Sequence, residues 1–118
     1  MSSAFNIALL VAVAALVVGW FWLRAGTTPG ADARELVRDG AVLVDVRTPQ
    51  EFAEGHIEGA RNIPVGELAT RLSEFGEKQG SIVLYCRSGV RSAKAKALLE
   101  SEGFTSVVNL GAMSSWPE

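Results

Sequence analysis

The fold is decided by the stretch SIVLYCRSGVRS at residues 81–92. Its first six residues form a continuous apolar run, which is typical of a strand buried on both faces. Three small or polar residues follow, and from Val90 the sequence favours a helix that ends at Gly103. A buried strand, a short loop and a helix in this order indicate an α/β fold with a mainly parallel sheet flanked by helices.

Similar signals occur elsewhere in the chain. Two further apolar runs predict strands at 41–46 and, more weakly, at 107–110. Helices are predicted at 33–39, 65–75 and 90–102. Asp32 and Glu35 have the spacing of a capping box before the first helix, and Gly40 would end it. In the second helix, three apolar side chains share one face: Leu68, Leu72 and Phe75.

The beginning of the chain differs in composition, because no Lys, Arg, Asp or Glu precedes Arg24. Residues 5–23 are almost wholly apolar and approach the roughly 20 residues that a helix needs to cross a membrane. Aromatic side chains at 20–22 suit the interface where such a helix leaves the acyl region. We therefore predict a transmembrane helix at 1–24, a linker at 25–31 and a globular domain at 32–118.

The basic residues all follow this segment, which predicts a single-pass membrane protein with its globular domain in the cytoplasm, at the inner membrane if bacterial. A cleaved signal peptide is the alternative, since Ala31 and Ala33 flank Asp32 as small residues flank a cleavage site, but no basic residue precedes the apolar run. Four small residues on one helix face would let a second copy approach and form a homodimer: Ala8, Ala12, Ala15 and Gly19. Alanine is common in apolar helices, so this arrangement is the weaker interpretation.

Composition excludes several classes of function. With 118 residues, the chain has room for one globular domain. Residues 30–118 contain ten Lys or Arg against thirteen Asp or Glu, which gives no electrostatic reason to bind nucleic acid. One Cys and one His are too few for a zinc site built from protein ligands alone. We expect no metal and no cofactor.

The loop after residue 86 has the features of a reactive anion site. Ligands of open α/β sheets bind beyond the carboxyl ends of strands, where a helix N-terminus offers unpaired N–H groups. Cys86 at this place, flanked by Arg87 and Arg91, is expected to have a lowered pKa and to act as a nucleophile. A free cysteine is more often a small buried hydrophobe, but two neighbouring guanidinium groups would repel each other without an anion between them. Gly89 can adopt a positive φ if the loop curls around the sulfur.

Four motifs resemble those of the rhodanese homology domain and cover most of residues 33–116. They are DVRTPQEF at 45–52, GHIEGARNIP at 55–64, CRSGVRS at 86–92, and LGAM at 110–113 with Trp116. The resemblance implies a thiosulfate sulfurtransferase in which Cys86 takes a sulfane sulfur from thiosulfate or a persulfide and passes it to a thiol or cyanide. It implies substrate-binding roles for the loop residues Arg87, Ser88, Gly89, Val90 and Arg91. Arg87 and Ser88 could instead point to solvent.

Two other functions fit parts of this pattern. A Cys-dependent phosphatase or arsenate reductase would use a similar loop, but such loops have five residues between Cys and Arg, and here four separate Cys86 from Arg91. A membrane-tethered persulfide carrier or partner-binding module remains open as a second alternative. Because the cysteine and both arginines are present, it supplements catalysis rather than replacing it.

Charged residues outside the loop have structural interpretations. Asp45 and Arg47 follow a predicted strand and are expected to tie loops together by charge-assisted hydrogen bonds. Glu51 is the expected partner of Arg47. His56 lies in a glycine-flanked connection, which indicates a hydrogen-bonded structural histidine rather than a catalytic one.

Overall fold

The computed structural model describes residues 26–118, in which four parallel strands form a sheet flanked by helices. The strands are β1 (Val42–Asp45), β2 (Arg61–Asn62), β3 (Ile82–Cys86) and β4 (Val107–Ala112). The α-helices are α1 (Gly30–Arg38), α2 (Pro49–Glu54) and α3 (Val90–Ser101), and 3₁₀ helices lie at Val65–Thr70, Leu72–Phe75 and Met113–Ser115. The strand order is β2-β1-β3-β4. The predicted fold class is confirmed.

The central strand β3 has a buried core on each of its faces. Leu84 and Cys86 pack in one core together with Leu99 of α3, whereas Val83 belongs to the other core together with Ala33 of α1. All residues of β3 are buried. Because helices cover both faces, neither face needs polar residues, and this explains the continuous apolar run in the sequence.

The first helix begins earlier than predicted. α1 starts at Gly30 after Pro29, so the predicted capping box of Asp32 and Glu35 is wrong. Asp32 instead lies in the first turn, where its negative charge favours the helix N-terminus. A Cβ at Gly30 would collide with the carbonyl oxygen of Ser115. This close approach shows that α1 packs directly on the C-terminal segment.

Residues 65–75 are helical, but they form two 3₁₀ segments rather than one α-helix. Leu68 and Phe75 are fully buried and Leu72 packs against the same core, so the predicted shared face is confirmed. Neither β2 nor α2 was predicted. The strand is only two residues long, whereas α2 follows a recognisable start signal in Thr48, Pro49 and Glu51.

The chain that leads into α1 lies against β4. The Thr28 N–H donates to the carbonyl oxygen of Asn109 at 2.8 Å, and the Thr27 methyl group lies beside Gly111. Part of the predicted linker at 25–31 is therefore packed on the sheet. The predicted transmembrane helix, its membrane contact through residues 5–23 and its homodimer face lie outside the described residues. Within 26–118, no helix has the length and apolar character needed to cross a membrane.

Candidate active site

The loop after β3 lies where the ends of three strands meet. Cys86 ends β3, and the next three residues lead to the first turn of α3. Asp45 at the end of β1 pairs with Tyr85, and Ala112 at the end of β4 pairs with Cys86. The loop therefore occupies the carboxyl edge of the sheet, where ligands of open α/β sheets bind.

The sulfur of Cys86 is buried and hydrogen-bonded by its own loop. The residue has no exposed surface, and its side chain contributes to the hydrophobic core. The backbone N–H of Gly89 donates to Sγ at 3.0 Å, and the Ser92 hydroxyl donates to Sγ at 3.4 Å. The burial is typical of a core cysteine, whereas the converging donors are typical of a stabilised thiolate.

These donors lower the pKa of the Cys86 thiol from its ordinary value. Burial is the largest single cause and acts in the opposite direction, because it disfavours the charged thiolate. Hydrogen bonds from the Ser92 hydroxyl and from the backbone N–H groups of Ser92, Gly89 and Ser88 lower the pKa and together outweigh burial. The predicted direction is confirmed. The backbone N–H groups were among the expected causes, the Ser92 hydroxyl was not, and hydrogen bonds are the main causes that lower the pKa.

Gly89 gives the loop its tight curve. Its φ is +97°, a conformation that favours glycine, as expected from the sequence. A Cβ at Gly89 would lie 3.3 Å from the Cα of Gly111, so the loop and β4 approach closely. Gly111 also lies beside the Thr27 methyl group. The Cys86 loop, β4 and the chain that leads into α1 are therefore closely packed here.

Arg91 is held by Glu51. Its Nη1 donates to Oε1 at 2.7 Å and its Nη2 to Oε2 at 3.0 Å, while Thr48 donates to Oε1 from its backbone N–H and its hydroxyl. The Arg91 hydrogen bond, followed by that of the Thr48 backbone, lowers the pKa of Glu51 to about 2. The predicted pairing of Glu51 with Arg47 is therefore wrong. The Arg91 side chain remains 34% exposed, so its positive charge is still open to an anion at the loop.

Arg47 pairs with Asp45 instead. The Arg47 Nε donates to both carboxylate oxygens at 2.9 Å, and Nη2 donates to Asp45 at 2.6 Å and to the carbonyl oxygen of Gly55 at 2.7 Å. The hydrogen bond to Asp45 is the main cause of a raised Arg47 pKa. The guanidinium lies 5.8 Å from the ring centre of Tyr85, whose hydroxyl accepts the Ile57 N–H at 3.1 Å. The prediction that Asp45 and Arg47 tie loops together is confirmed.

A pocket of about 300 Å³ adjoins the Cys86 loop. Two arginines, two glutamates and three uncharged residues line it: Arg47, Arg87, Glu51, Glu54, Gly55, Met113 and Ser114. Arg87, Ser88 and Val90 are exposed on the loop. Among the described residues, the Arg87 guanidinium has no hydrogen-bond or ion-pair partner. It is the cation of this loop that can turn toward a ligand without losing a partner.

Ser92 is a site residue that the sequence analysis did not select. It is fully buried in the first turn of α3, and its hydroxyl reaches both Sγ and the Gly89 carbonyl oxygen. Its position as the last residue of the motif CRSGVRS could have indicated that it belongs to the site. A residue in the first turn of a helix that follows a reactive loop can direct a donor back to that loop.

His56 is structural, as predicted. Its Nδ1–H donates to the carbonyl oxygen of Phe52 at 2.8 Å, and the two rings stack with centroids 3.6 Å apart. In the part of the chain that the structure describes, no cluster of three or more His, Cys, Asp or Glu side chains could hold a metal ion.

Comparison with known proteins identifies the domain. Residues 30–118 match the family of rhodanese-like domains. The chain belongs to this family. The resemblance noted in the sequence is confirmed, and the rhodanese-like domain accounts for every element described above from α1 onward.

Relatives of this rhodanese-like domain include named sulfurtransferases. It is 35% identical over 71 residues to the thiosulfate sulfurtransferase PspE of Escherichia coli, covering 59% of this chain and 68% of PspE. The structure of the human single-domain sulfurtransferase TSTD1 has a TM-score of 0.67 and 33% identity, and the match covers 76% of this chain and 93% of TSTD1. The uncharacterised protein YqhL of Bacillus subtilis is 44% identical over 77 residues, or 64% of this chain. That match spans 60% of YqhL.

Proposed function

We propose that this rhodanese-like domain is a sulfurtransferase that carries a sulfane sulfur as a persulfide on Cys86. The observation that carries the proposal is the setting of the sulfur, whose Sγ accepts hydrogen bonds from the Gly89 N–H and the Ser92 hydroxyl. The same donors would stabilise the negative charge of a persulfide. The names of the relatives PspE and TSTD1 support the same class of reaction.

Thiosulfate is the proposed donor. The Cys86 thiolate attacks its outer sulfur, a new S–S bond forms on Sγ, and the bond to the sulfonate sulfur breaks. Its electron pair leaves with sulfite. The three negative charges of the reactants are conserved in the persulfide anion and the sulfite dianion. The reaction needs no proton, oxidant or metal, and a lowered thiol pKa favours it by supplying thiolate.

The arginines would act on the sulfonate group of the donor. Arg87 is exposed and has no partner among the described residues, so it is free to form charge-assisted hydrogen bonds to the sulfonate. Arg91 is held by Glu51 and contributes its positive charge from a fixed position. Exposed Ser88 and Val90 and the curved Gly89 would form the rim of the site. Release of sulfite as a dianion is easier beside these cations.

The phosphatase alternative is less well supported. A phosphatase that used Cys86 would rely on the Arg91 guanidinium to hold a tetrahedral oxyanion. Two of its N–H groups already donate to Glu51. The Glu51 carboxylate partly neutralises the arginine, which weakens its attraction for a phosphate. The four-residue spacing between Cys86 and Arg91 favours sulfur transfer as well.

Mass spectrometry of the full chain in mild detergent tests the proposal. After exposure to thiosulfate and removal of the excess, the wild-type chain is expected to gain the mass of one sulfur atom, and dithiothreitol should remove it. The Cys86→Ser variant should gain nothing. A wild-type chain without added sulfur, or a variant with it, would overturn the mechanism. Hydrolysis of an aryl phosphate as fast as sulfur transfer would favour the phosphatase.

We also propose that residues 5–23 hold the chain in a membrane with the domain on the cytoplasmic side. The support is compositional: an uncharged segment of nearly spanning length followed by all of the basic residues. Alkaline carbonate extraction of cell membranes should leave the full chain in the pellet and release a chain that lacks residues 1–24. Full release of the intact chain would contradict the anchor.

A further inference from the structure

Of the charged residues that line the pocket beside the Cys86 loop, some are paired with an opposite charge and others are not. Arg47 and Glu51 line it, but each is already paired, with Asp45 and Arg91 respectively. Two other charged residues line the same pocket, Arg87 and Glu54. Among the described residues, neither side chain has a hydrogen-bond or ion-pair partner. The pocket therefore presents one available cation and one available anion.

The available charges come from different walls. Arg87 follows Cys86 directly, on the loop after β3, whereas Glu54 is the last residue of α2. Met113 and Ser114 form a third, uncharged wall at the end of β4. A ligand that contacts all three walls needs a negative group for Arg87, a positive group for Glu54 and a neutral part for Met113 and Ser114. A purely anionic ligand could pair with Arg87 but would leave Glu54 without a counter-charge.

We propose that this pocket binds the sulfur acceptor, and that the acceptor is a small zwitterionic thiol carrying an ammonium and a carboxylate group, as in cysteine. This inference rests on the proposed sulfurtransferase function and names the class of its second substrate. The ammonium lies at Glu54 and the carboxylate at Arg87. A volume of about 300 Å³ is at the lower end of ligand pockets, which suits a molecule of amino-acid or dipeptide size.

The transfer step balances without another reactant. The acceptor thiolate attacks the outer sulfur of the Cys86 persulfide, and the new S–S bond replaces the bond to Sγ. The electron pair of the broken bond stays on Sγ, which returns as a thiolate under the Gly89 N–H and the Ser92 hydroxyl. The product is the persulfide of the acceptor. Any proton on the outer sulfur moves with it.

The test isolates this second step. The full chain is loaded with thiosulfate, freed of excess donor and mixed with cysteine or with N-acetylcysteine, which lacks the ammonium group. Loss of the added sulfur is followed by mass spectrometry. Glu54→Gln is compared with Glu102→Gln, which also removes one negative charge. Glu102 follows the C-terminal end of α3, whereas the Cys86 loop precedes its N-terminal end. Comparing variant with wild type for one thiol at a time cancels differences in thiol reactivity.

Glu54→Gln should slow transfer to cysteine by about three- to fivefold, the effect of losing one exposed ion pair, and leave transfer to N-acetylcysteine unchanged. Glu102→Gln should change neither rate. On loaded Arg87→Gln protein, transfer to cysteine should fall by a larger factor than transfer to cysteine methyl ester, which has no carboxylate.

The results distinguish a failure of the zwitterion inference from a failure of the proposed sulfurtransferase function. Equal effects of Glu54→Gln on both thiols, or no effect on either, would overturn the zwitterion inference while the loaded sulfur still supports the transferase. Failure of the wild-type chain to load sulfur from thiosulfate would overturn both. Loading itself should not be slowed by Glu54→Gln, because removal of a negative charge does not disfavour the thiosulfate dianion.

Discussion

Glu51 at the start of α2 and Arg91 at the start of α3 form a two-point ion pair, with N–O distances of 2.7 and 3.0 Å, across 40 positions of sequence. The pair joins the helix that follows β1 to the helix that follows β3. Glu51 also completes the capping box with Thr48, so one carboxylate serves both the helix start and the loop. The position of the Cys86 loop therefore depends on a residue outside it.

Replacement of Glu51 by Gln should destabilise the domain in a pH-dependent way. Because folding lowers the pKa of Glu51 from 4.5 to about 2, its stabilising effect is present above pH 4.5 and is lost as the pH falls toward about 2. The gap between the urea midpoints of wild type and Glu51→Gln should shrink over that interval. Glu58→Gln, at an exposed position, is the charge-matched control. Identical midpoints at neutral pH would show that the ion pair contributes nothing.

Removal of the Ser92 hydroxyl should raise the pKa of Cys86. The hydroxyl is the largest of the causes that lower this pKa, so Ser92→Ala should shift the pH dependence of sulfur loading from thiosulfate to higher pH. The thiolate absorbance in an ultraviolet titration should shift in the same direction. Ser101→Ala removes an exposed hydroxyl from the same helix and should leave the profile in place. An unchanged Ser92→Ala profile would contradict the role of this donor.

The buried pair of Asp45 and Arg47 predicts a large loss of stability when one partner is removed. The Asp45 side chain is 0% exposed, so Arg47→Met would leave a carboxylate without its counter-charge, at a cost of about 3–5 kcal/mol. The double variant Asp45→Asn with Arg47→Met should regain part of this loss, since no buried charge remains. Chemical unfolding measures both. A single-variant cost below about 1 kcal/mol would mean that the pair behaves like a surface ion pair.

A side chain at Gly89 should damage the Cys86 loop. Gly89→Ala forces a positive φ on a residue with a Cβ and places that carbon 3.3 Å from Gly111, which should cost about 1–2 kcal/mol and slow sulfur loading. Gly66→Ala is the control, because its backbone lies outside the positive-φ region and its Cβ would meet no atom within 4 Å. The control should be neutral or gain up to about 1 kcal/mol. Equal behaviour of the two variants would refute the need for glycine at 89.

The sequence predicted those parts of the fold that depend on local pattern. The apolar runs of β1 and β3 and the glycine in the Cys86 loop were identified because burial and backbone conformation restrict the residues there. The strand β2 was missed because two residues carry no periodicity. Residues 65–75 were expected to form one α-helix because their apolar spacing fits either helix type.

Ion pairing was the least predictable part of the site. Glu51 lies four positions from Arg47 in sequence, and this proximity favoured the wrong partner. The Arg47 side chain instead pairs with Asp45, and Arg91 reaches Glu51 because the parallel strands β1 and β3 bring the helices that follow them together. The choice among competing charges depends on tertiary structure. In the same way, the donors that lower the Cys86 pKa became apparent only from the curve of the loop.

Thr27 lies beside Gly111, and Gly111 lies beside Gly89, so the start of the described chain is packed close to the loop that surrounds the sulfur. A fragment that begins at Asp32 lacks Thr27 and therefore lacks this packing on Gly111. We expect a fragment that begins before Thr27 to keep the surroundings of the sulfur more completely than one that begins at Asp32.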